Sequence, residues 1–164
     1  MPAPRASTGI APETFRDACA QHAAGVTVVT MCADDGTPHG LTISSFTPLS
    51  LSPPLILVCI DYACTILSHF RGATHFAVNI LSAGQQAYSI TFSEKPEGRF
   101  DGIDWFPGAT AVPLLPGALA WFECEVSQVV EAGDHVILIG RVIYAEAQPG
   151  EPLVYFERGY HRLL

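Results

Sequence analysis

Residues 38–60 read PHGLTISSFTPLSLSPPLILVCI and carry no Asp, Glu, Lys or Arg side chain. The pair Pro53-Pro54 separates a half rich in Ser and Thr from the apolar run at 55–60. An apolar run of this length, bounded by Pro and by Asp61, predicts a strand that is buried on both faces. The other half predicts a strand and loop whose hydroxyls and backbone amides face a neutral, flat polar ligand. The alternative is an edge strand whose hydroxyls are simply solvated.

Length and composition indicate one domain without a nucleic-acid or membrane partner. The 164 residues, 49% of them apolar, suffice for one sizeable core. Residues 1–11 are predicted to be a disordered leader and residues 12–164 the folded domain. Eight basic against sixteen acidic residues, with Lys95 the single lysine, leave no basic cluster for nucleic-acid phosphates. Prolines and hydroxyls interrupt the uncharged stretch, so no membrane span is predicted and a cytoplasmic location is expected.

The five cysteines predict neither a disulfide framework nor a metal site. Their number is odd and no pair has CxxC spacing, which argues against disulfides and against a thioredoxin-like redox site. Cys59, Cys64, His69 and His75 match no familiar zinc spacing. We therefore expect no bound metal.

Hydrophobic periodicity predicts a mainly β chain with a few helices. Helices are expected from Pro12 until Gly25 ends the turn, at 64–70 and at 85–92. Strands are expected at 26–33, from about His39, and at 55–60, 75–80, 122–130, 136–144 and 153–155. In the strand at 122–130, Glu123 and Glu125 are expected on a wet face. Residues 93–117, rich in Gly and Pro, predict a long surface excursion. This pattern favours a closed antiparallel barrel over a parallel sheet.

Common nucleotide and hydrolase signatures are absent: the chain has no GxGxxG, GxxxxGK[ST], HExxH or GxSxG. Other motifs follow one another along the chain. They are PHGLTISSF at 38–46, LILVCI at 55–60, FAVNIL at 76–81, GDHVILIGRV at 133–142 and LVYFERGYHRL at 153–163. In this order they resemble the short-chain flavin reductases, the reductase components of two-component flavin monooxygenases, from about Phe15 to Leu163.

The resemblance implies a six-stranded antiparallel Greek-key split β-barrel with a few short flanking helices, assembled as a homodimer. It implies FMN as the flavin, with FAD possible, and NADH or NADPH as the hydride donor. It also implies that reduced flavin diffuses to a partner oxygenase. A noncatalytic flavin carrier, an oxidoreductase with a permanently bound flavin and a β-barrel interaction domain remain alternatives.

Several candidate cofactor-binding residues follow from the resemblance. The flavin ring is expected along the strand and loop that carry Thr42, Ser44, Ser45, Phe46 and Ser50. Its phosphate is expected where a helix opens after Ile60, with amides and a hydroxyl from Ala63, Cys64 and Thr65. Asp61 departs from the Ser, Asn or Arg common in similar proteins and places an acidic residue near that phosphate.

The resemblance assigns the remaining candidates to later motifs. His135, the candidate catalytic residue, is expected to contact the nicotinamide, with Asp134 holding its ring. Arg158 and Tyr160 would reach a ligand or the partner subunit, and Asn79 would orient the loop around the flavin. The alternatives are an Asp-centred turn with an exposed His, a surface Arg, and a buried strand Asn satisfied by neighbouring backbone.

In similar proteins, the segment that corresponds to residues 93–117 covers the flavin. The resemblance therefore implies that Arg99 and Phe100, which lie in this segment, are near the flavin.

Overall fold

The computed structural model describes residues 9–94 and 97–163. Residues 1–8 of the predicted leader therefore lie outside the described part. The helices are α1 (Pro12–Cys19), α2 (Leu67–Gly72) and α3 (Gln86–Glu94), the last preceded by a 3-10 turn at Ala83–Gln85. The strands are β1 (Ala24–Gly25), β2 (Thr27–Cys32), β3 (Pro38–Ile43), β4 (Thr47–Leu51), β5 (Pro54–Asp61), β6 (His75–Ile80), β7 (Phe106–Pro107), β8 (Pro113–Leu114), β9 (Ala120–Ala132), β10 (His135–Ala147), β11 (Val154–Phe156) and β12 (Gly159–His161). No helix in the described ranges has both the length and the apolarity needed to cross a bilayer.

Seven strands form one antiparallel sheet in the order β3-β2-β6-β9-β10-β5-β4. The predicted mainly antiparallel β architecture with few helices is confirmed. The main sheet has seven strands rather than six, because the residues after the Ser-rich loop form β4 as a separate edge strand. Within the described residues β3 and β4 are the two edges, so backbone hydrogen bonds do not close this sheet into a barrel.

The sheet curls around one main hydrophobic core. Buried side chains from six of its strands and from α2 meet in a single cluster, which a flat sheet would not allow. The strand contributors are Val29, Met31, Ile43, Ile56, Val58, Ile60, Phe76, Val78, Cys124, Val136 and Leu138. Leu67 and Phe70 of α2 cover one end of this core.

A serine hydroxyl joins β3 to β5 across the open side of the sheet. Ser45 follows β3, and its hydroxyl accepts a hydrogen bond from the Cys59 amide at 2.9 Å. The same hydroxyl donates to the Cys59 carbonyl oxygen at 3.1 Å. A single side chain therefore satisfies both backbone groups of one residue of β5, as a neighbouring strand would.

Two predictions about the first half of the chain were wrong in detail. The first helix ends at Cys19, because Ala24 and Gly25 pair with β11 instead of ending a helical turn. None of the α1 residues is buried. The strand at 55–60 is buried on one face only, since Ile56, Val58 and Ile60 point into the core while the alternate side chains stay partly exposed.

Glu123 was predicted on a wet strand face, but it is buried with 1% exposure. Its carboxylate accepts hydrogen bonds from the amides of Ala109 and Thr110, both at 2.9 Å, and from the Thr110 hydroxyl at 2.7 Å. Residues 93 and 94 of the predicted excursion belong to α3, and its described part from 97 to 117 contains only the short strand pair β7 and β8. The buried carboxylate therefore holds this irregular segment against the sheet.

Candidate functional site

A cleft of about 540 Å³ lies between the end of β3 and the end of β5. Residues 41–45 form one side of it, and residues 59–61 and 63–65 form the other. Ser93, Glu94, Arg99 and His135 complete the lining. The volume is typical of a pocket that encloses a small organic ligand. The protein's own side chains therefore leave the groove beside Ser44 and Ser45 unfilled.

The hydroxyls of the Ser- and Thr-rich segment have different partners. The Thr42 hydroxyl donates to the carbonyl oxygen of Ser89 in α3 at 2.6 Å. The Ser45 hydroxyl bridges β3 to Cys59, as described above. Ser44 is exposed and lies in the cleft. Ser44 is therefore the best placed of the three hydroxyls to meet a ligand.

The loop after β5 differs from the prediction of a helix start at 64. Helix α2 begins at Leu67, because the preceding residues form turns. The Asp61 carboxylate accepts the Ala63 amide at 2.8 Å, and the Asp61 carbonyl oxygen accepts the Cys64 amide at 3.0 Å. The acidic side chain thus closes an Asx turn and shapes the loop. Ala63, Cys64 and Thr65 all line the cleft.

His135 stands at the margin of the cleft, on the first residue of β10. Its Nδ1 lies 2.7 Å from Asp134 Oδ1, and the hydrogen bond with His135 lowers the pKa of Asp134. An ionised carboxylate can only accept, so Nδ1 donates and Nε2 is the ring nitrogen that a ligand would meet. The Asp134 carbonyl oxygen accepts the Tyr62 amide at 3.0 Å. This bond ties the GDH turn to the loop after β5.

Three of the predicted binding residues do not line this cleft. Phe46 is half-buried and packs on Phe122, with ring centroids 5.5 Å apart. Ser50 lies exposed on β4. The Tyr160 hydroxyl makes a 2.8 Å hydrogen bond with the Ser89 hydroxyl. Tyr160 thus supports α3, which in turn holds the Thr42 hydroxyl.

Asn79 and Arg158 also lie away from the cleft. Asn79 is fully buried, and its side-chain amide donates to the Val28 carbonyl oxygen at 3.0 Å while its oxygen accepts the Leu115 amide at 2.8 Å. These partners match the alternative of a buried strand Asn satisfied by neighbouring backbone, while the bond to Leu115 also joins Asn79 to the excursion at 93–117. A role in orienting a loop around the flavin stays a prediction. Arg158 forms an ion pair with Asp17 of α1.

The cleft also contains Ser93 and Glu94, which the sequence did not single out, and Arg99, which the sequence placed in the excursion over the flavin. Ser93 and Glu94 reach it because α3 extends to Glu94, two residues beyond the predicted helix end. No sequence signal marked them, since the helical pattern stops at Phe92. Arg99 lines the cleft, and its Nη1 donates to the Gly40 carbonyl oxygen at 2.8 Å. Within the described ranges, no three His, Cys, Asp or Glu side chains converge as a metal site.

A family model described as the flavin reductase like domain matches residues 19–164. The chain belongs to this family. The resemblance found in the sequence motifs is thereby confirmed.

Relatives and a solved structure agree with this assignment. A probable flavin reductase of Rhizobium meliloti is 43% identical over 149 residues, which are 91% of this chain and 48% of the relative. The reductase component of a flavin-dependent trigonelline monooxygenase of Acinetobacter baylyi is 46% identical over 128 residues, 78% of this chain and 41% of the relative. The chain thus spans less than half the length of these two curated relatives.

The solved structure of a Streptomyces globisporus NADH:FAD oxidoreductase in complex with NAD and FAD fragments has a TM-score of 0.88 and 33% identity. The match covers 96% of this chain and 98% of the solved chain.

Proposed function

We propose that this chain is an NAD(P)H-dependent flavin reductase that passes a hydride from the nicotinamide to FMN or FAD and supplies the reduced flavin to a separate oxygenase. The observation that carries the proposal is the cleft between β3 and β5, lined by the exposed residues Ser44 and Thr65, in a member of the flavin reductase family. The name of the trigonelline relative, a reductase component of a monooxygenase, supports the oxygenase partner. The curl of the sheet supports the split-barrel architecture.

The residues of the cleft fit a flavin. The partly buried Leu41 gives apolar surface for a flat ring, and Ser44 gives a hydroxyl for its polar edge. Thr65 and Arg99 support the binding of a phosphate tail, because both line the cleft and a hydroxyl and a guanidinium are ordinary phosphate partners. When bound, the flavin supplies an acceptor for a hydride from the nicotinamide.

His135 is proposed to position the nicotinamide. Its ring is oriented by the ionised Asp134 carboxylate, so that Nε2 and the ring face are held at the margin of the cleft. Holding the two reactants in contact is the main task of such a site, since a correct relative position replaces a rare encounter. His135 need not transfer a proton in this role.

The proposal is tested by mixing purified protein with NADH and FMN and following NADH absorbance. Oxidation that depends on FMN is expected, and its absence would refute the reductase function. A permanently bound flavin would copurify and make added FMN unnecessary, whereas a carrier would bind FMN without oxidising NADH.

His135→Ala should raise the KM for NADH about five- to tenfold, the loss of roughly one good contact. Its Kd for FMN should stay unchanged. His22→Ala, which removes an exposed histidine outside the cleft, is the matched control. An unchanged KM for NADH and for NADPH would remove His135 from the site.

A homodimer is part of the same proposal. Large apolar side chains are exposed on three strands of the main sheet, and Leu51 is 90% exposed. They are Leu49, Leu51, Val129, Val130, Ile143 and Tyr144. Apolar surface of this kind is often covered by a second subunit. Sedimentation equilibrium tests this part, and a monomer at micromolar concentration would contradict it. The cytoplasmic location stays a prediction of the sequence.

A further inference from the structure

Three exposed side chains from separate segments of the chain meet beside the GDH turn. They are Tyr62 from the loop after β5, Arg71 from α2 and Glu131 from β9. The Glu131 carboxylate accepts a hydrogen bond from the Tyr62 hydroxyl. Arg71 Nη2 lies 2.9 Å from Glu131 Oε1 and 3.1 Å from Glu131 Oε2. One carboxylate therefore ties the loop after β5 and α2 to the hairpin formed by β9 and β10.

The Tyr62 ring completes this group, which we call the Tyr62 triad. The guanidinium carbon of Arg71 lies 5.4 Å from the centroid of the ring, a cation–π distance. The hydrogen bond to Glu131 raises the pKa of Tyr62, so the phenol keeps its proton and stays the donor. A single exposed ion pair contributes little to stability. In the triad, however, each side chain contacts both of the others, so the three hold one another in place.

The triad lies on the opposite face of the sheet from the cleft. His135 and Asp61 are cross-strand partners on β10 and β5, and both line the cleft. The next residue of β10, Val136, is buried in the core and has Glu131 as its partner on β9. Cross-strand partners share a face and successive residues alternate between faces, so Glu131 is on the core side, where α2 packs. None of the three triad residues lines the cleft, and each can affect a ligand there only through other residues.

A short turn connects the position of Glu131 to that of His135. Only two residues, Gly133 and Asp134, separate β9 from β10. Gly133 has a φ of +63°, a left-handed conformation that favours glycine in tight hairpin turns. The Asp134 carbonyl oxygen accepts the Tyr62 amide at 3.0 Å, and the Asp134 carboxylate accepts His135 Nδ1 at 2.7 Å. The turn, and with it the imidazole, is thus held through Glu131 on one side and through the Tyr62 amide on the other.

We infer that Tyr62 and Glu131 are positioning residues that hold His135 where it meets the nicotinamide. The inference rests on the proposed function, which assigns the nicotinamide contact to His135. The Glu131 carboxylate fixes the Tyr62 side chain to the hairpin, and the Tyr62 amide fixes the turn. Loss of the carboxylate would let the turn and the imidazole shift relative to residues 63–65 of the cleft.

The first experiment measures hydrogen exchange of the Tyr62 amide by NMR, which needs neither cofactor nor turnover. This amide donates to Asp134, so its exchange reports how often that bond opens. Glu131→Ala should speed the exchange about threefold, whereas Glu131→Gln keeps an oxygen acceptor and should resemble wild type. Glu125→Ala is the matched control, because Glu125 forms an exposed ion pair with Arg141 that also joins β9 to β10. Equal exchange in Glu131→Ala and wild type would overturn the inference.

The second experiment measures the KM for NADH with FMN as the acceptor. Glu131→Ala should raise this KM about two- to fivefold, although loss of a negative charge by itself favours binding of the anionic NADH. Glu131→Gln removes the same charge and should keep a KM close to that of wild type. The double variant with His135→Ala should have the KM of His135→Ala alone, because both residues act through one contact. Effects that multiply in the double variant would indicate a general structural role and overturn the inference.

Failure of the inference and failure of the proposed function give different results. A wild-type protein that does not oxidise NADH with any flavin would refute the proposed function, and the exchange measurement would still decide whether Glu131 holds the turn. An active wild type with an unchanged KM for NADH in Glu131→Ala would overturn the inference alone.

Discussion

Replacing Ser45 by Ala removes the hydroxyl that joins the end of β3 to β5. The side chain exchanges two hydrogen bonds with Cys59, at 2.9 and 3.1 Å, and both residues are partly buried. Each bond contributes about 1 kcal/mol net, so the variant should lose about 2 kcal/mol of unfolding free energy. For a chain of this length that corresponds to a fall in Tm of roughly 4–8 °C. Urea unfolding followed by tryptophan fluorescence measures the loss.

The neighbouring Ser44→Ala is the matched control, because Ser44 is exposed and lies in the cleft. It should change the unfolding free energy by less than about 0.5 kcal/mol. Its Kd for FMN should rise about fivefold, the loss of roughly one hydrogen bond. If Ser45→Ala is as stable as wild type, the bridging role is refuted. If Ser44→Ala binds FMN like wild type, Ser44 is not a ligand contact.

Other predictions concern buried or titrating side chains. Glu123→Gln should cost about 2–3 kcal/mol in urea unfolding, because an amide nitrogen would face the loop donors that the carboxylate now accepts; wild-type stability would contradict this. Burial raises the pKa of Cys124 to about 12, so a thiol reagent should label the exposed Cys19 and leave Cys124 unlabelled until denaturant is added, as read by peptide mass spectrometry. The pKa of His39 is lowered by burial from its ordinary 6.5, so the unfolded chain binds a proton before the folded chain does. The stability due to neutral His39 is therefore complete above pH 6.5 and falls as the pH drops below it. His39→Asn should lose less stability than wild type between about pH 7.5 and about pH 5.5, and equal losses would refute the assignment.

The strands were predictable because their signals are local. The predicted strands at 26–33 and 55–60 stand where β2 and β5 are found. The burial of Glu123 was not predictable, since alternation along one strand does not show that a distant loop will fold over its outer face. The failure at Gly25 has the same cause, because its pairing with β11 joins residues far apart in sequence.

The candidate site was predictable where one continuous segment forms it. Residues 42–45 and 63–65 line one cleft, and their contacts with a flavin stay a prediction. Asn79 shows the limit of such reasoning, because its buried amide is used by backbone partners that lie far along the chain. The role of Arg99 depends on a turn that brings it to Gly40, and such contacts between distant segments carry no local signal.

The edge strand β4 limits how two copies of this chain can meet. Pro48 lies within it and lacks an amide hydrogen, and the pairing with β5 shifts register between Pro48 and Ser50. A proline and a bulge on an open edge discourage a further strand from adding there. Oligomers built by extending this sheet from one molecule to the next are therefore disfavoured at this edge, which guards the chain against fibre-like growth.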